Sequence, residues 1–340
     1  MVFTGFPLPW GRRGCAPAGA LSRRAGALAA LLAAVAFFLP ATGGWACTLW
    51  SAVGDVSGGG SLLAKNRDFA PGSWSRLVLV RPDRGLAYVG LYALVDGRQT
   101  LVAGMNEAGL AIVSATAGSV PKEQRKVPSG VKALTARLLS GSGSVGEALA
   151  NREWFGEHAP VIYMLADATK SAWVEVAPEG AVAVRENVPT GRGPAMRGGT
   201  LIHTNHFLAP ELASANVTVG RSSEARLEGI KALLARSKSH SLEEFELLGL
   251  DTSQGPDDSI FRAGSRPSST RTMAAFMAEI PAEGPPLLMV RSWGDPQRPW
   301  IMRLPLNRTF WERTPPGTSQ LLASDPAFPD LPLPGAPARQ

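Results

Sequence analysis

The chain divides its apolar residues into many short runs, and this rhythm limits the folds open to it more than any other feature. Apolar stretches at 48–53, 61–64, 77–80, 87–91, 101–104 and 110–114 are each bounded by glycine, proline or aspartate. Runs of that length separated by turn residues predict the strands of a meandering antiparallel sheet. Two helices are expected next. Residues 131–139 carry apolar side chains at helical spacing, and Ser144 with Glu147 has the spacing of a capping box ahead of 148–151. Further strands are predicted at 161–165, 172–176, 181–185 and 200–203, with a turn at 167–170. Helices at 223–236 and 242–248 follow, Ser241 and Glu244 again having capping-box spacing, and the last strands fall at 272–279, 287–292 and 300–304. Strands, helices, strands, helices, strands define an α+β class with sheets stacked between helical layers. Periodicity alone does not fix the stacking.

The segment before the first strand has the character of a targeting signal. Ser22-Arg23-Arg24 is basic, 25–39 is apolar, and Gly44-Trp45-Ala46 supplies the small-x-small pattern of a cleavage site. Residues 1–46 are therefore expected to be a signal peptide, and the mature protein to be exported to a periplasmic or extracellular space. The paired arginines resemble a twin-arginine signal, which leaves the export route open. Cleavage after Ala46 makes Cys47 the first mature residue. A lipoprotein signal is the rival; it wants an aliphatic residue three positions before the cysteine and a small one two before, where this chain has Gly44 and Trp45.

Export changes how composition is weighed. The segment through Ala46 holds four of the 34 basic residues and none of the 28 acidic ones, so the remainder is nearly neutral at +2. No basic block is left to suggest a nucleic-acid partner, and no second apolar run approaches the roughly 20 residues of a membrane span. Of the two cysteines, Cys15 lies in the removed segment. A lone cysteine in an exported protein pairs between chains, stays buried or works as a reactive thiol; a homo-oligomer is left open. Its place at the cut favours the reactive thiol. A thiol on the residue that also bears the free α-amine is a nucleophile with its own base, the arrangement of N-terminal nucleophile (Ntn) hydrolases. With four histidines at no metal-ligand spacing, and no phosphate-binding glycine loop, neither metal nor cofactor is expected. The catalytic body is expected at 47–313, and 314–340, crowded with proline, alanine and aspartate, as a weakly structured tail.

Downstream of Cys47-Thr48, the sequence Lys65-Asn66-Arg67-Asp68 ends an apolar strand with four polar residues in succession. With it come Gly104-Met105-Asn106-Glu107-Ala108-Gly109-Leu110, Met164-Leu165-Ala166-Asp167 through Trp173-Val174-Glu175, Thr204-Asn205 and Ala225-Arg226, in that order. This series resembles the choloylglycine hydrolase and penicillin V acylase family, whose members begin Cys-Thr and carry Arg-Asn-x-Asp at about this distance. Thr204-Asn205-His206-Phe207 and Ser222-Ser223-x-x-Arg226 resemble the isopenicillin N acyltransferase branch more closely. The resemblance implies the four-layer αββα Ntn-hydrolase sandwich, two antiparallel sheets between helical layers.

The resemblance also implies roles. Cys47 would be the nucleophile, with its α-amine, of pKa about 7.7 to 8.0, taking the thiol proton. Asp68 would hold the amine, Arg226 would favour the thiolate, and the side-chain amide of Asn205 would donate to the oxyanion, a donor whose loss costs roughly 3 to 4 kcal/mol. The family's second donor falls at Thr116, which would have to act through its hydroxyl or backbone N–H. The family arginine is Lys65 here, which keeps the charge and loses the planar fork; Arg67 could replace it only if its side chain turned inward. His203 and His206 are expected to pack or to wall the substrate site, and 106–109 to form a turn beside the pocket. Trp50, Phe69, Trp74 and Tyr92 serve either an acyl pocket or the core. The expected activity is cleavage of a linear C–N amide in a small N-acyl substrate through a thioester, ending in hydrolysis or acyl transfer. N-acyl amino acids or amines, β-lactam side chains, N-acyl homoserine lactones and bile-salt-like conjugates all fit. A dipeptidase of the same fold, and a lipid-anchored binding protein acylated at Cys47, are the alternatives.

Overall fold

The computed structural model describes residues 46–95, 97–126, 133–191 and 196–334. The expected signal peptide up to residue 45, the start of the helix expected at 131–139 and the last six residues lie outside them. In chain order the strands are β1 (Ala46–Val53), β2 (Ser61–Phe69), β3 (Ser75–Arg81), β4 (Tyr88–Val95), β5 (Arg98–Asn106) and β6 (Ala111–Thr116). Three helices follow: α1 (Leu134–Gly141), α2 (Val145–Ala150) and α3 (Arg152–Gly156). Then come β7 (Val161–Ala166), β8 (Ser171–Val176), β9 (Val182–Asn187) and β10 (Gly199–His203), helices α4 (Arg221–Leu234) and α5 (Leu242–Gly249), strands β11 (Arg271–Ile280), β12 (Leu287–Ser292) and β13 (Trp300–Pro305), helix α6 (Arg308–Glu312) and β14 (Thr318–Ser324). Both expected caps form: Ser144 and Ser241 accept from the backbone N–H of Glu147 and Glu244.

The strands form two antiparallel sheets, one of six in the order β10-β1-β2-β11-β12-β13 and one of eight in the order β14-β3-β4-β5-β6-β7-β8-β9. Alternation gives each sheet two apolar faces. Leu49, Leu63, Phe276 and Val290 of the first pack against Leu79, Val89, Val113 and Met164 of the second. The outer face of the second, with Val78, Ile112 and Val174, is covered by Leu138, Val145 and Phe155 of α1–α3. The outer face of the first, with Trp50, Leu62 and Met277, is covered by Ile230, Leu234 and Phe245 of α4 and α5. The layers are α, β, β, α, as expected.

Three features differ from expectation. Strand β2 runs through the polar residues to Phe69 instead of ending at Ala64. Helices α3 and α6, of five residues each, are too short for their periodicity to show. The expected weak structure from residue 314 does not hold for Thr318–Ser324, which pairs with β3 as the edge strand β14 and is followed by the buried Asp325. Arg76 ties this segment further by donating to the carbonyls of Leu331 and Pro332 at 2.9 and 2.8 Å. Backbone pairing, not apolar pattern, holds it in place.

Candidate active site

The register of β1 against β2 sorts the polar residues between two faces. Cys47 pairs with Arg67 and Leu49 with Lys65, so these side chains point between the sheets; Ala46 pairs with Asp68 and Thr48 with Asn66, which point toward α4 and α5. All four residues of 65–68 are buried. They are strand interior.

The ladder between β1 and β10 stops at Leu49 and His203. Beyond it the Asn205 side chain continues the bonding. Its Oδ1 accepts from the Cys47 backbone N–H at 2.8 Å and from Arg226 Nη2 at 2.9 Å, while its Nδ2 donates to the Thr116 carbonyl at 2.9 Å. The reverse amide orientation would set donor against donor, so the network fixes it and leaves one Nδ2 hydrogen unassigned by these contacts. Thr116 brings its carbonyl oxygen to this contact, an acceptor that orients Asn205.

The segment bearing Asn205 is clamped from both sides. Ser223, in the first turn of α4, accepts from the Asn205 N–H at 3.0 Å and bonds His206 Nδ1 at 2.8 Å. From β8 of the other sheet, Glu175 bonds His203 Nε2 at 2.7 Å and accepts from the backbone N–H groups of Leu208 at 2.5 Å and Ala209 at 3.1 Å. His203 and Glu175 are both fully buried, so His203 is a hydrogen-bond partner of Glu175 in addition to packing on Trp173. Burial, reinforced by His203, pushes the His206 imidazole below its ordinary pKa. Sequence inspection placed Glu175 in a hairpin and missed this function, because it depends on the approach of β8 to β10. The nearest signal was a carboxylate in an otherwise apolar strand.

Arg226 is the hub. Its Nη1 donates to the Cys47 carbonyl and, at 2.9 Å, to Thr48 Oγ1, while Nη2 reaches Asn205. Burial lowers its pKa, and Asp68 opposes that most strongly. Asp68 accepts from Thr272 Oγ1 at 2.8 Å and lies 4.0 Å from Arg262, yet its Oδ2 is buried with no hydrogen-bond partner among the described residues. Burial raises the Asp68 pKa, with Arg226 the leading opposing charge. Asn66 instead ties β2 to the helical layer, donating to the carbonyls of Gly249 and Ile260 at 2.7 and 2.9 Å.

Both candidates for the family arginine face inward. Arg67 is directly opposite Cys47, with its guanidinium on the carbonyl and hydroxyl of Ser73. Lys65 fills a gap in the other sheet. The β5–β6 ladder ends at Ala103 and Val113, and Lys65 Nζ takes the carbonyls of Val102 at 3.0 Å and Ser114 at 2.5 Å. Burial lowers its pKa to about 8, with the Cys47 charge the main opposing influence. The unfolded chain, with an ordinary lysine, therefore holds more protons than the folded one between about pH 8 and 10.5. Stability should rise with pH across that window, by about 3 kcal/mol at most. Chemical denaturation at stepped pH checks this, and Lys65→Met should remove the rise; an unchanged rise in the variant would assign it to another group.

Of the remaining candidates Trp50 and Tyr92 fall away from the thiol, while Phe69 stacks under the Arg67 guanidinium at 5.2 Å. Trp50 packs on Phe245 in the outer core and Tyr92 bonds Tyr88, so both are core; Phe69 and Trp74 are partly exposed near the end of β2. Asn106 builds its expected turn, accepting from the N–H groups of Ala108 and Leu110, with Gly109 at φ +93°. That turn adjoins Ala111, the end of β6 opposite Thr116, and five strand residues place it roughly 17 Å away. It is not beside Cys47. A cavity of about 570 Å³ lined by Arg81, Glu107, Leu306, Arg308 and Trp311 also lies at that far end. Among the described residues no three histidine, cysteine, aspartate or glutamate side chains are grouped to hold a metal ion, and no helix is long and apolar enough to cross a membrane.

The sequence model of the acyl-coenzyme A:6-aminopenicillanic acid acyl-transferase family matches residues 56–284, so the chain belongs to that family and with it to the choloylglycine hydrolase-like Ntn superfamily. Two stacked antiparallel sheets between helical layers are the fold this membership entails. The match begins after Cys47. Among solved structures, penicillin V acylase from Agrobacterium tumefaciens superposes with a TM-score of 0.50 at 16% identity, covering 81% of this chain and 91% of that one. A mutant of conjugated bile acid hydrolase from Clostridium perfringens gives 0.49 at 13% identity, covering 81% and 96%. Comparison with curated proteins returns no match. Family and fold are those of amidases and acyltransferases.

Proposed function

We propose that this is an exported N-terminal-cysteine amidase or acyltransferase that cleaves a linear C–N amide through a thioester. The observation that carries the reading is the surroundings of the Cys47 nitrogen. Asn205 Oδ1 already accepts from it at 2.8 Å, and Asp68 Oδ2, which lacks a hydrogen-bond partner among the described residues, belongs to the residue paired across from Ala46, whose departure would free the amine. A buried carboxylate oxygen without a donor is costly unless a donor arrives. The freed ammonium would be that donor.

In this mechanism the α-amine takes the Cys47 thiol proton and the thiolate attacks the acyl carbon. The second Nδ2 hydrogen of Asn205 receives the developing oxyanion, its first being fixed on Thr116. Collapse breaks the C–N bond, the leaving amine takes the proton from the α-ammonium, and a thioester remains. Attack by water gives hydrolysis; attack by a second amine gives acyl transfer, the chemistry in the family's name. Asp68 holds the amine, Arg226 fixes the Cys47 carbonyl and Asn205 together, and Lys65 and Arg67 supply positive charge on the thiol's face.

Intact mass and N-terminal sequencing of the exported protein test the reading. An unmodified start at Cys47, and a mass gain matching the acyl group when an N-acyl amide is added, are expected. A start elsewhere, or a lipid on the cysteine, would refute it.

A further inference from the structure

At the Cys47 end of the sandwich one cross-strand row spans most of the first sheet. Cys47 on β1, Arg67 on β2, Ala274 on β11, Ser292 on β12 and Trp300 on β13 stand in register, and their side chains face the second sheet. Opposite the row is Asp325, the residue after β14, 1% exposed. Its Oδ2 accepts from the Ser75 N–H at 2.6 Å, its Oδ1 accepts from Trp300 Nε1 at 2.8 Å, and its own N–H donates to the Ser75 carbonyl at 2.9 Å. A Cβ on Gly294 would come within 2.1 Å of Oδ2, so the bare backbone there makes room for the carboxylate. Arg67 is held two residues before Ser75, on the carbonyl and hydroxyl of Ser73. Residues 73–75 thus carry the guanidinium at one end and the carboxylate at the other.

We propose that Asp325 is a positioning residue of the Cys47 site: it acts as counter-charge to Arg67 and so sets the electrostatic balance beside the thiol. The proposal rests on Cys47 being the nucleophile. Each charge feels the other. Burial raises the Asp325 pKa, opposed first by hydrogen bonds from Ser292, Ser75 and Trp300 and then by the Arg67 charge; burial lowers the Arg67 pKa to about 10, against the charges of Cys47, Asp325 and Asp68. The other charges around the thiol are Lys65 and Asp68 on β2 and Arg226 on α4, with Arg262 beyond Asp68. Without Asp325, Lys65, Arg67 and Arg226 face one carboxylate that Arg262 already shares. The family match ends at residue 284, so this carboxylate comes from outside the matched region.

The test follows iodoacetamide alkylation of Cys47 against pH in the exported, processed protein, in which Cys47 is the one thiol. Asp325→Asn should move the midpoint acidward by roughly half a pH unit or more, because one negative charge is lost while Ser73 still holds Arg67. A lowered melting temperature with an unchanged midpoint in Asp325→Asn would make Asp325 merely structural and overturn the proposal. Should that variant fail to fold, Arg67→Met probes the pair from the other side. It leaves Asp325 unopposed, so the fold should lose more stability at pH 7 than at pH 5; equal loss at both refutes the pairing. N-acyl amide turnover by the unsubstituted protein separates the two ideas. Turnover with no midpoint change removes the role of Asp325 alone, whereas a Cys47 that neither alkylates nor supports turnover removes the nucleophile as well.

Discussion

Cys47→Ala should reduce amide turnover by roughly 10⁴-fold or more and abolish the acyl-enzyme mass, while changing stability by only about 1 kcal/mol. The two effects separate because the site is built on the backbone of Cys47. Asn205 accepts from its N–H and Arg226 donates to its carbonyl, and an alanine keeps both bonds. What disappears is a sulfur that makes no hydrogen bond the geometry depends on. Cys47→Ser sharpens the test, since the hydroxyl stays beside the same amine but is a far weaker nucleophile at its ordinary pKa. Acyl-enzyme in the serine variant with slow turnover would agree with the mechanism. Undiminished turnover in the alanine variant would not.

The succession of strands along the chain up to β13 was legible from the sequence because short runs between turn residues are what an antiparallel sandwich needs. The reading failed where local pattern and burial disagree. Lys65, Asn66, Arg67 and Asp68 look like a solvated strand end, yet the strand continues through them because each has a buried partner: carbonyls for Lys65, Asn66 and Arg67, and Thr272 with nearby guanidinium groups for Asp68. Four polar residues in a buried strand break the binary pattern, and such breaks concentrate where function overrides packing. The C-terminal strand failed for a different reason. Thr318–Ser324 is a partly exposed edge strand among prolines, and its identity lies in pairing with β3 more than two hundred residues earlier in the chain.

The site divides the same way. Asn205 and Arg226 were named from motifs, and the structure brings both to the Cys47 backbone. Motifs gave residue types without directions. They put the α-amine beside Asp68, whereas in the intact chain the Cys47 nitrogen is already engaged by Asn205, and Asp68 Oδ2 has Arg262 at 4.0 Å but no hydrogen-bond partner among the described residues. They gave Thr116 a donor's place, where its visible contact is as an acceptor. Glu175 and Asp325 were out of reach, because each acts across the gap between the sheets on residues remote in sequence.

Arg226→Met should be the most destabilising change in the site, costing roughly 3 to 5 kcal/mol at neutral pH. The guanidinium is buried, and removing it strips a donor from the Cys47 carbonyl, from Thr48 Oγ1 and from Asn205 Oδ1 at once. It also removes the charge that most opposes the upward shift of Asp68, leaving a buried carboxylate with Arg262 at 4.0 Å as its nearest cation. Asp68 then binds its proton more tightly in the folded protein than in the unfolded chain. The folded state gains relative stability as pH falls and loses it as pH rises through the folded pKa of Asp68. Loss of stability should therefore be greatest near pH 7 and smaller toward pH 5, as chemical denaturation at both values would show. Arg226→Lys separates charge from geometry. It keeps a cation near Asp68 and should recover much of the stability, but a single ammonium cannot reproduce the planar fork that joins Cys47, Thr48 and Asn205, so turnover should remain at least roughly tenfold down. Equal stability loss at both pH values in the methionine variant, or full activity in the lysine variant, would show that Arg226 does not combine these two duties.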